Sequence, residues 1–461
     1  MKTSMLPDTL NGLFKDRDYY KILFKIAAPI VIQNLITSSV NIVDTLMVGR
    51  LGEAEIAAVG IANQVFLLYS ILIMACCSGC GVFIAQYWGV KDEKNIRRVL
   101  GLCISVVTTI SLVFTALILI APSAIISIFN KDPQVIKLGS EYIRLVSLSY
   151  TFTAITFAVA AASRSVEKTV PPMAASFLAL ICNSVLNYIF IFGKAGFTPM
   201  GVKGAALGTL IARGVESFVL IIYLYKTNKV LWGKLSDLFS FNMKFSKKIF
   251  GVVIDVVLNE LCWGLGSVVY SIVYGHMGTS AIAAIQIYNT VQNLFLVFVF
   301  GMAAASVVMI GKETGAGNKE KAMRYGYQST ALTAIIGIVA SILLALSAGF
   351  IVSLFNIPDI VRYYAKMILY VVAFVFAIRS INIILIVGVL RGGGDAKYSL
   401  KIEAFTMWGI GVPLSFIGAF VLKWPVYWVV GLLTVEEIVK CYFSVSRLRT
   451  GKWIKRVTDT V

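Results

Sequence analysis

Residues 49–65 read GRLGEAEIAAVGIANQV, and residues 275–291 read GHMGTSAIAAIQIYNTV. Gly49/Gly275, Gly52/Gly278, Ile56/Ile282, Ala57/Ala283, Ala58/Ala284, Ile61/Ile287, Asn63/Asn289 and Val65/Val291 are identical at one offset, 226. The register runs on into GVKDEKNIRRV (89–99) and GAGNKEKAMRY (315–325), at Gly89/Gly315 and Arg98/Arg324. After a one-residue slip, Arg164 of SRSVEKT faces Arg391 of LRGGGDA. The chain carries one plan twice, so the fold follows from what one copy is.

Each copy is built of apolar runs. Hydrophobic residues make up 58% of the 461 residues and charged ones 14%, and the mean hydropathy is +0.85. A soluble chain carries roughly 25% charged residues. A helix needs about 20 apolar residues to cross ~30 Å of hydrocarbon. Twelve runs meet that length, at about 22–48, 54–86, 97–121, 136–162, 171–192, 201–225, 247–275, 280–311, 322–352, 362–389, 397–421 and 425–446. The second and eighth exceed the span and are expected to tilt or extend into water. A β-barrel would instead show alternating segments of ~10 residues between turns, and none appears. The expected fold is an all-α integral membrane protein, twelve transmembrane helices in two six-helix lobes. An even number of spans per copy preserves orientation, so the lobes are expected to be related by a pseudo-two-fold axis along the membrane normal. Residues 1–240 form the first lobe with a basic linker between spans six and seven, and 241–461 the second lobe with a basic tail. Two such lobes around a cleft suit alternating access.

Lys and Arg in short loops set orientation. They gather at the N-terminus (Lys15, Arg17, Lys21, Lys25), in the loop after span two (Lys91, Lys94, Arg97, Arg98) and in the central linker (Lys226, Lys229, Lys234, Lys244, Lys247, Lys248). The tail adds Arg447, Arg449, Lys452, Lys455 and Arg456. Both termini are therefore expected in the cytoplasm of a multi-pass cell-membrane protein. The net charge of +18 then reflects topology and anionic headgroups, with no nucleic-acid partner. The N-terminal stretch reads as leading into an uncleaved first helix. Seven cysteines lie in or beside apolar helices, and the CCSGC at 76–80 has no histidine or carboxylate near it. Small residues of this kind pack helices in lipid.

The motifs resemble the multidrug and toxic compound extrusion (MATE) antiporters over nearly all of the chain. The resemblance rests on VDTLMVGRLG after span one, IAQYWGVKDEKNIRRV after span two, ASRSVEKTVPPM and LRGGGDA after spans four and ten, CNSVLNYIFIFG in span five and NELCW in span seven. The loop after span two is not the Gly-x-x-x-Asp-Arg type of the major facilitator transporters. The resemblance implies a V-shaped pair of lobes that exports cationic amphipathic compounds in exchange for Na⁺ or H⁺.

A charge near the bilayer centre costs ~2.5–3.5 kcal/mol even on the mild insertion scale, so each one needs a reason. Asp44 occupies the position of the family's ion-coupling aspartate; snorkelling to the outer interface, past Gly49 and Arg50, is the structural alternative. Asn183 and Asn187 are i and i+4, so their amides share one helix face. Thr209 in GAALGT adds an oxygen that fits the family's site. Together they could supply hard oxygens to Na⁺, although paired asparagines also serve as interhelical glue. Several Na⁺-binding relatives have an aspartate where Asn187 stands, which leaves Na⁺ and H⁺ both open as coupling ion. In span seven Glu260 is read as a substrate contact, or else as the partner of Arg379 in a structural ion pair. Asp255, Gln33 and Asn34 are further candidates for lining the substrate path. Arg213 and Glu216 are expected to neutralise one another, as are Glu437 and Lys440 in span twelve. His276 falls at the outer end of span seven, where a surface position is expected.

Pro29 and Pro413 are expected to kink their helices, and Pro171 and Pro172 to begin span five. RGGGD at 391–395 lacks the lysine-serine pair and preceding strand of a phosphate-cradling loop, and is read as a flexible turn. No enzymatic activity and no cofactor are expected, and the energy comes from an ion gradient. Small cationic substrates and membrane lipids are the expected partners of a monomer. A flippase for a lipid-linked precursor is the runner-up; its cavity would be strongly cationic. A channel or receptor would need a selectivity filter, a charged pore ring or a signalling domain, and none is seen.

Overall fold

The structure is a computed structural model that describes residues 16–233 and 235–459. Two of the basic residues used for orientation, Lys15 and Lys234, lie outside the described residues. No strand occurs among those described. The helices are α1 (Arg17–Val48), α2 (Glu53–Gly89), α3 (Glu93–Ile120), α4 (Pro122–Phe129), α5 (Pro133–Ser147), α6 (Tyr150–Ser165), α7 (Val170–Phe192) and α8 (Val202–Thr227). A single turn, α9 (Leu235–Leu238), leads into α10 (Met243–His276), α11 (Thr279–Gly315), α12 (Lys319–Ser353), α13 (Asp359–Leu390), α14 (Ala396–Val421) and α15 (Val426–Thr450).

Ten of these are long and apolar enough to cross a membrane among the described residues, and the pair α5–α6 makes an eleventh as one broken span. The expected continuous run at 136–162 is thus corrected to two helices bent by 47°. Ser147 and Ser149 stand at the break, and their hydroxyls donate to the carbonyls of Arg144 (3.0 Å) and Val146 (2.6 Å). Hydroxyls that compete for the helix's own acceptors bend or interrupt it. The twelfth pass, α15, has the length at 25 residues but is more polar, because Glu436, Glu437 and Lys440 sit in its middle.

The chain divides into two compact units: Ala28–Val253, and the described residues before Ala28 together with those from Ile254 on. In each, the second long helix is the centre. The apolar windows of α2 and α11 are 67% and 61% buried, against 22% for α1 and α10. Around α2, Tyr69 stacks on Tyr150 at 4.4 Å between ring centres, and its hydroxyl donates to the Tyr150 carbonyl (2.7 Å). Around α11 the core is aliphatic, with Leu344, Ile368, Leu369 and Val429 fully enclosed. The outward faces keep large apolar side chains such as Ile120, Leu346 and Phe374 exposed, as lipid contact requires.

Prolines begin one helix, as expected, and lie inside two others. Pro171 and Pro172 open α7, where a missing N–H costs nothing. Pro29 lies inside an unbroken α1. Pro413 is flanked by two π-wound segments, Met407–Gly411 and Ile417–Val421. Widening the coil on both sides absorbs the lost N–H without ending α14.

The RGGGD turn is ordered, contrary to expectation. Asp395 is 1% exposed and is gripped by Arg447 (2.6 Å) and Lys455 (2.6 Å). Trp453, fully buried, donates to the Leu448 carbonyl (3.0 Å), and the Lys455 N–H donates to the Gly393 carbonyl (2.7 Å). The residues after α15 therefore close over the turn.

Candidate functional site

In the Ala28–Val253 unit, α1, α7 and α8 bring together the four residues singled out around Asp44. The Asn187 amide donates to Asp44 Oδ1 (2.6 Å) and lies 3.4 Å from Asn183 Oδ1. Asn183 in turn donates to Thr209 Oγ1 (3.3 Å). The two asparagines stack one helical turn apart and are buried, while Asp44 is only half-buried. Asp44, Asn183 and Thr209 line a cavity of ≈50 Å³, room for a few waters or a partly hydrated ion. Asn187 Oδ1 is buried without a hydrogen-bond partner, an acceptor left over beside the carboxylate. It lies where a Cβ on Gly208 would fall, so only glycine lets α8 pass this close to α7. The donor set is one carboxylate, two amide oxygens and a hydroxyl, which suits a small hard cation or a proton-bearing water.

A second polar chain reaches the same cavity. Arg213 pairs with Glu216 at 2.9 Å, as its spacing suggested. Glu216 also accepts from Ser176 (2.7 Å), Ser176 from Gln33 (3.1 Å), and Gln33 Oε1 from Arg164 (3.2 Å). Arg213 and Glu216 both face the cavity beside Asp44. Gln33 is therefore a positioning link as the structure stands. Asn34 is half-buried and borders neither this cavity nor the one described next.

In the unit from Ile254 on, the Arg379–Glu260 pair, one of the two readings of Glu260, does not form. Glu260 pairs with Arg391 at 2.7 Å, and Arg391 also donates to Asn259 Oδ1 (3.0 Å). Arg379 lies elsewhere, donating to Tyr288 Oη (3.0 Å) and Gln292 Oε1 (3.1 Å). Arg391 immediately follows α13 and is 3% exposed against 29% for the carboxylate. The Glu437–Lys440 pair also fails: Lys440 takes Glu436 and Glu403, both at 2.9 Å, and Glu437 accepts from Asn382 (2.6 Å). An i, i+4 partner on the same face and a carboxylate from α14 outcompete the i, i+3 one. Asp255 is half-buried and borders neither cavity. His276 is exposed, its Nδ1 2.9 Å from the Ile272 carbonyl.

Arg379 instead lines a cavity of ≈180 Å³ with Trp263, Tyr270, Tyr288, Glu436 and Glu437. Its position repeats that of the first. Tyr270 stands 226 residues after Asp44, and Glu437 and Lys440 stand 224 after Arg213 and Glu216. The Arg391–Asn259 contact likewise repeats Arg164–Gln33. Sequence reasoning missed Arg391 as the partner of Glu260, although the repeat register contains the signal: Gln33 and Asn34 project onto Asn259 and Glu260.

Two lobes of paired repeat, polar groups buried in apolar helices and a cavity in each define a polytopic membrane transporter. The family model described as MatE matches residues 29–189 and 256–417, and the chain belongs to the MatE family of transporters. It is 24% identical over 457 residues to the uncharacterized transporter YisQ of Bacillus subtilis (strain 168), covering 99% of both chains. It is 25% identical to the probable multidrug resistance protein NorM of Thermotoga maritima, covering 95% of this chain and 94% of that one. Among solved structures, a MATE transporter in the bent conformation superposes with a TM-score of 0.85 at 22% identity, over 94% of this chain and 96% of the other. A MOP superfamily transporter from Pyrococcus furiosus, described as having a binding pocket of reverse polarity, gives 0.84 at 21% over 94% and 97%.

Proposed function

We propose that this protein is a secondary active transporter that exports cationic amphipathic compounds across the cell membrane, by alternating access, in exchange for Na⁺ or H⁺. The names of curated relatives as multidrug resistance proteins support the substrate class, and the Lys/Arg distribution supports cytoplasmic termini. The observation that carries the coupling is the linked set Asp44–Asn187–Asn183–Thr209 around one small cavity in otherwise apolar helices.

The physical logic is differential binding. Asp44 ionised in this setting demands a counter-charge or water, and a bound Na⁺ or H⁺ removes that demand. If the two states of the transporter hold the ion unequally, by an amount on the order of 1–3 kcal/mol, ion binding biases which state is populated. The exported cation biases it the other way. Asn183, Asn187 and Thr209 orient the carboxylate and offer the remaining oxygens. Arg213, held by Glu216 on the same cavity wall, supplies a fixed positive charge that an incoming cation must tolerate.

Ethidium movement in proteoliposomes tests this under an imposed Na⁺ gradient at constant pH and, separately, under a pH gradient. Movement driven by either gradient and lost in Asp44→Asn is expected. Asp44→Asn moving ethidium at the wild-type rate under the same gradient would remove the assignment.

A further inference from the structure

The ≈180 Å³ cavity in the unit from Ile254 on is not used by the coupling set. Its polar groups are laid out unevenly. Arg379 spends Nη1 on Tyr288 and Gln292. Its Nη2 donates to nothing among the described residues, and the nearest carboxylate oxygen, Glu437 Oε1, lies 3.9 Å from Nε, beyond hydrogen-bonding reach. The side chain is 27% exposed and lines the cavity, with Nη2 unengaged. Lys440 pairs with Glu403 and Glu436, and Glu436 Oε2 also accepts from Tyr270 (2.6 Å). Gly411 makes that last bond possible, because a Cβ there would fall on both the Tyr270 hydroxyl and the Glu436 carboxylate. Of the charged side chains that line the cavity, Arg379 and Lys440 balance Glu436 and Glu437, while Glu403 meets Lys440 from α14. Trp263, Tyr274, Tyr288 and Phe376 supply aromatic walls.

We infer that this cavity is a binding site for small aromatic zwitterions. The ligand carboxylate takes the open donors of Arg379, its cationic amine points toward Glu436 and Glu437, and its ring lies against the aromatic wall. A guanidinium with free donors recognises a planar carboxylate by charge and geometry together. The closeness of the two signs explains why the ligand must bring a cation as well: a simple anion would meet Glu437, 3.9 Å from the same arginine, with nothing to offset it. Size limits the occupant to about a single ring with its charged groups, or to the head of a larger molecule. The site goes beyond the export of cations proposed above and stands on geometry of its own.

The test is binding by the purified full-length protein with no ion gradient, so its outcome is separate from that of the transport assay. Phenylalanine serves as the zwitterion, phenylalaninamide as the cation lacking a carboxylate, and N-acetylphenylalanine as the anion lacking an amine. Tryptophan fluorescence, to which Trp263 contributes, reads the titrations. Phenylalanine is expected to bind at least about tenfold tighter than either analogue, the size of one charge-assisted contact. Arg379→Gln should bring phenylalanine and its amide to about equal affinity while leaving the affinity for the amide in place. Arg379→Lys, which keeps charge but not the fork, should retain part of the preference and serves alone should the glutamine variant fail to fold. Wild-type protein that binds the amide as well as phenylalanine, or binds none of the three, overturns the inference. So does an unchanged preference in the substituted proteins.

Discussion

Asn187 is the residue on which the first cavity turns, because its amide holds Asp44 while its own oxygen is left over. Two substitutions probe that. Asn187→Asp restores a second carboxylate and is expected to raise the apparent Na⁺ affinity for driving ethidium exchange by on the order of tenfold, measured as the Na⁺ concentration for half-maximal rate. Gly208→Ala places a methyl group on the leftover oxygen. Overpacking of this kind costs roughly 1–3 kcal/mol, so a lower melting temperature and weakened exchange are expected together. A melting curve superimposable on wild type would mean that α7 and α8 part easily. Asp44, Asn183, Asn187 and Thr209 were legible in the sequence because helix spacing, hydropathy and motif all pointed to one place. The partner of Glu260 was not, since span seven by itself does not say which of several distant cations its carboxylate reaches, and the repeat register points to Arg391 only once the Arg164–Gln33 contact is known.

At the scale of elements, helix type and approximate ends follow from long apolar runs, which is why the spans were readable within a few residues. Breaks and turns follow from local hydrogen bonding that hydropathy does not register. The bend between α5 and α6 falls where the Ser147 and Ser149 hydroxyls bond to backbone carbonyls, and the RGGGD turn packs under a tryptophan far along the chain, Trp453. Trp453→Ala empties a fully buried site. The expected loss is about 3–5 kcal/mol, read as a large drop in melting temperature. An unchanged melting temperature would show that the closing segment contributes nothing to holding the turn.

The whole molecule is a duplication in which contacts persist while their chemistry changes. Arg164–Gln33 joins a cation to a neutral amide, whereas Arg391 in the equivalent place holds Asn259 and a carboxylate, Glu260. Arg213–Glu216 becomes Glu437 and Lys440, with the signs reversed and the partners redistributed. The two arginines should therefore respond differently. Arg391→Gln strands Glu260 and is expected to destabilise by about 1–3 kcal/mol, part of the carboxylate's cost being met by its exposure. The expected cost of Arg164→Gln is smaller, since it leaves no bare charge. Chemical denaturation of both variants decides, and equal losses would mean that position rather than charge sets the value of this contact.

The buried Asp395 also bears on how the protein is made. Both cations that neutralise it, Arg447 and Lys455, and the tryptophan beside it lie in the last turn of α15 or beyond it, and leave the ribosome well after the turn itself. Until that stretch emerges, the turn after α13 carries a carboxylate without its counter-charges, and the later half cannot settle into its final packing. Its assembly waits on the synthesis of that later stretch, whereas the earlier half, Ala28–Val253, is synthesised long before. A nascent chain arrested ahead of Arg447 should accordingly be protected from protease in its first half and remain cleavable at 391–395.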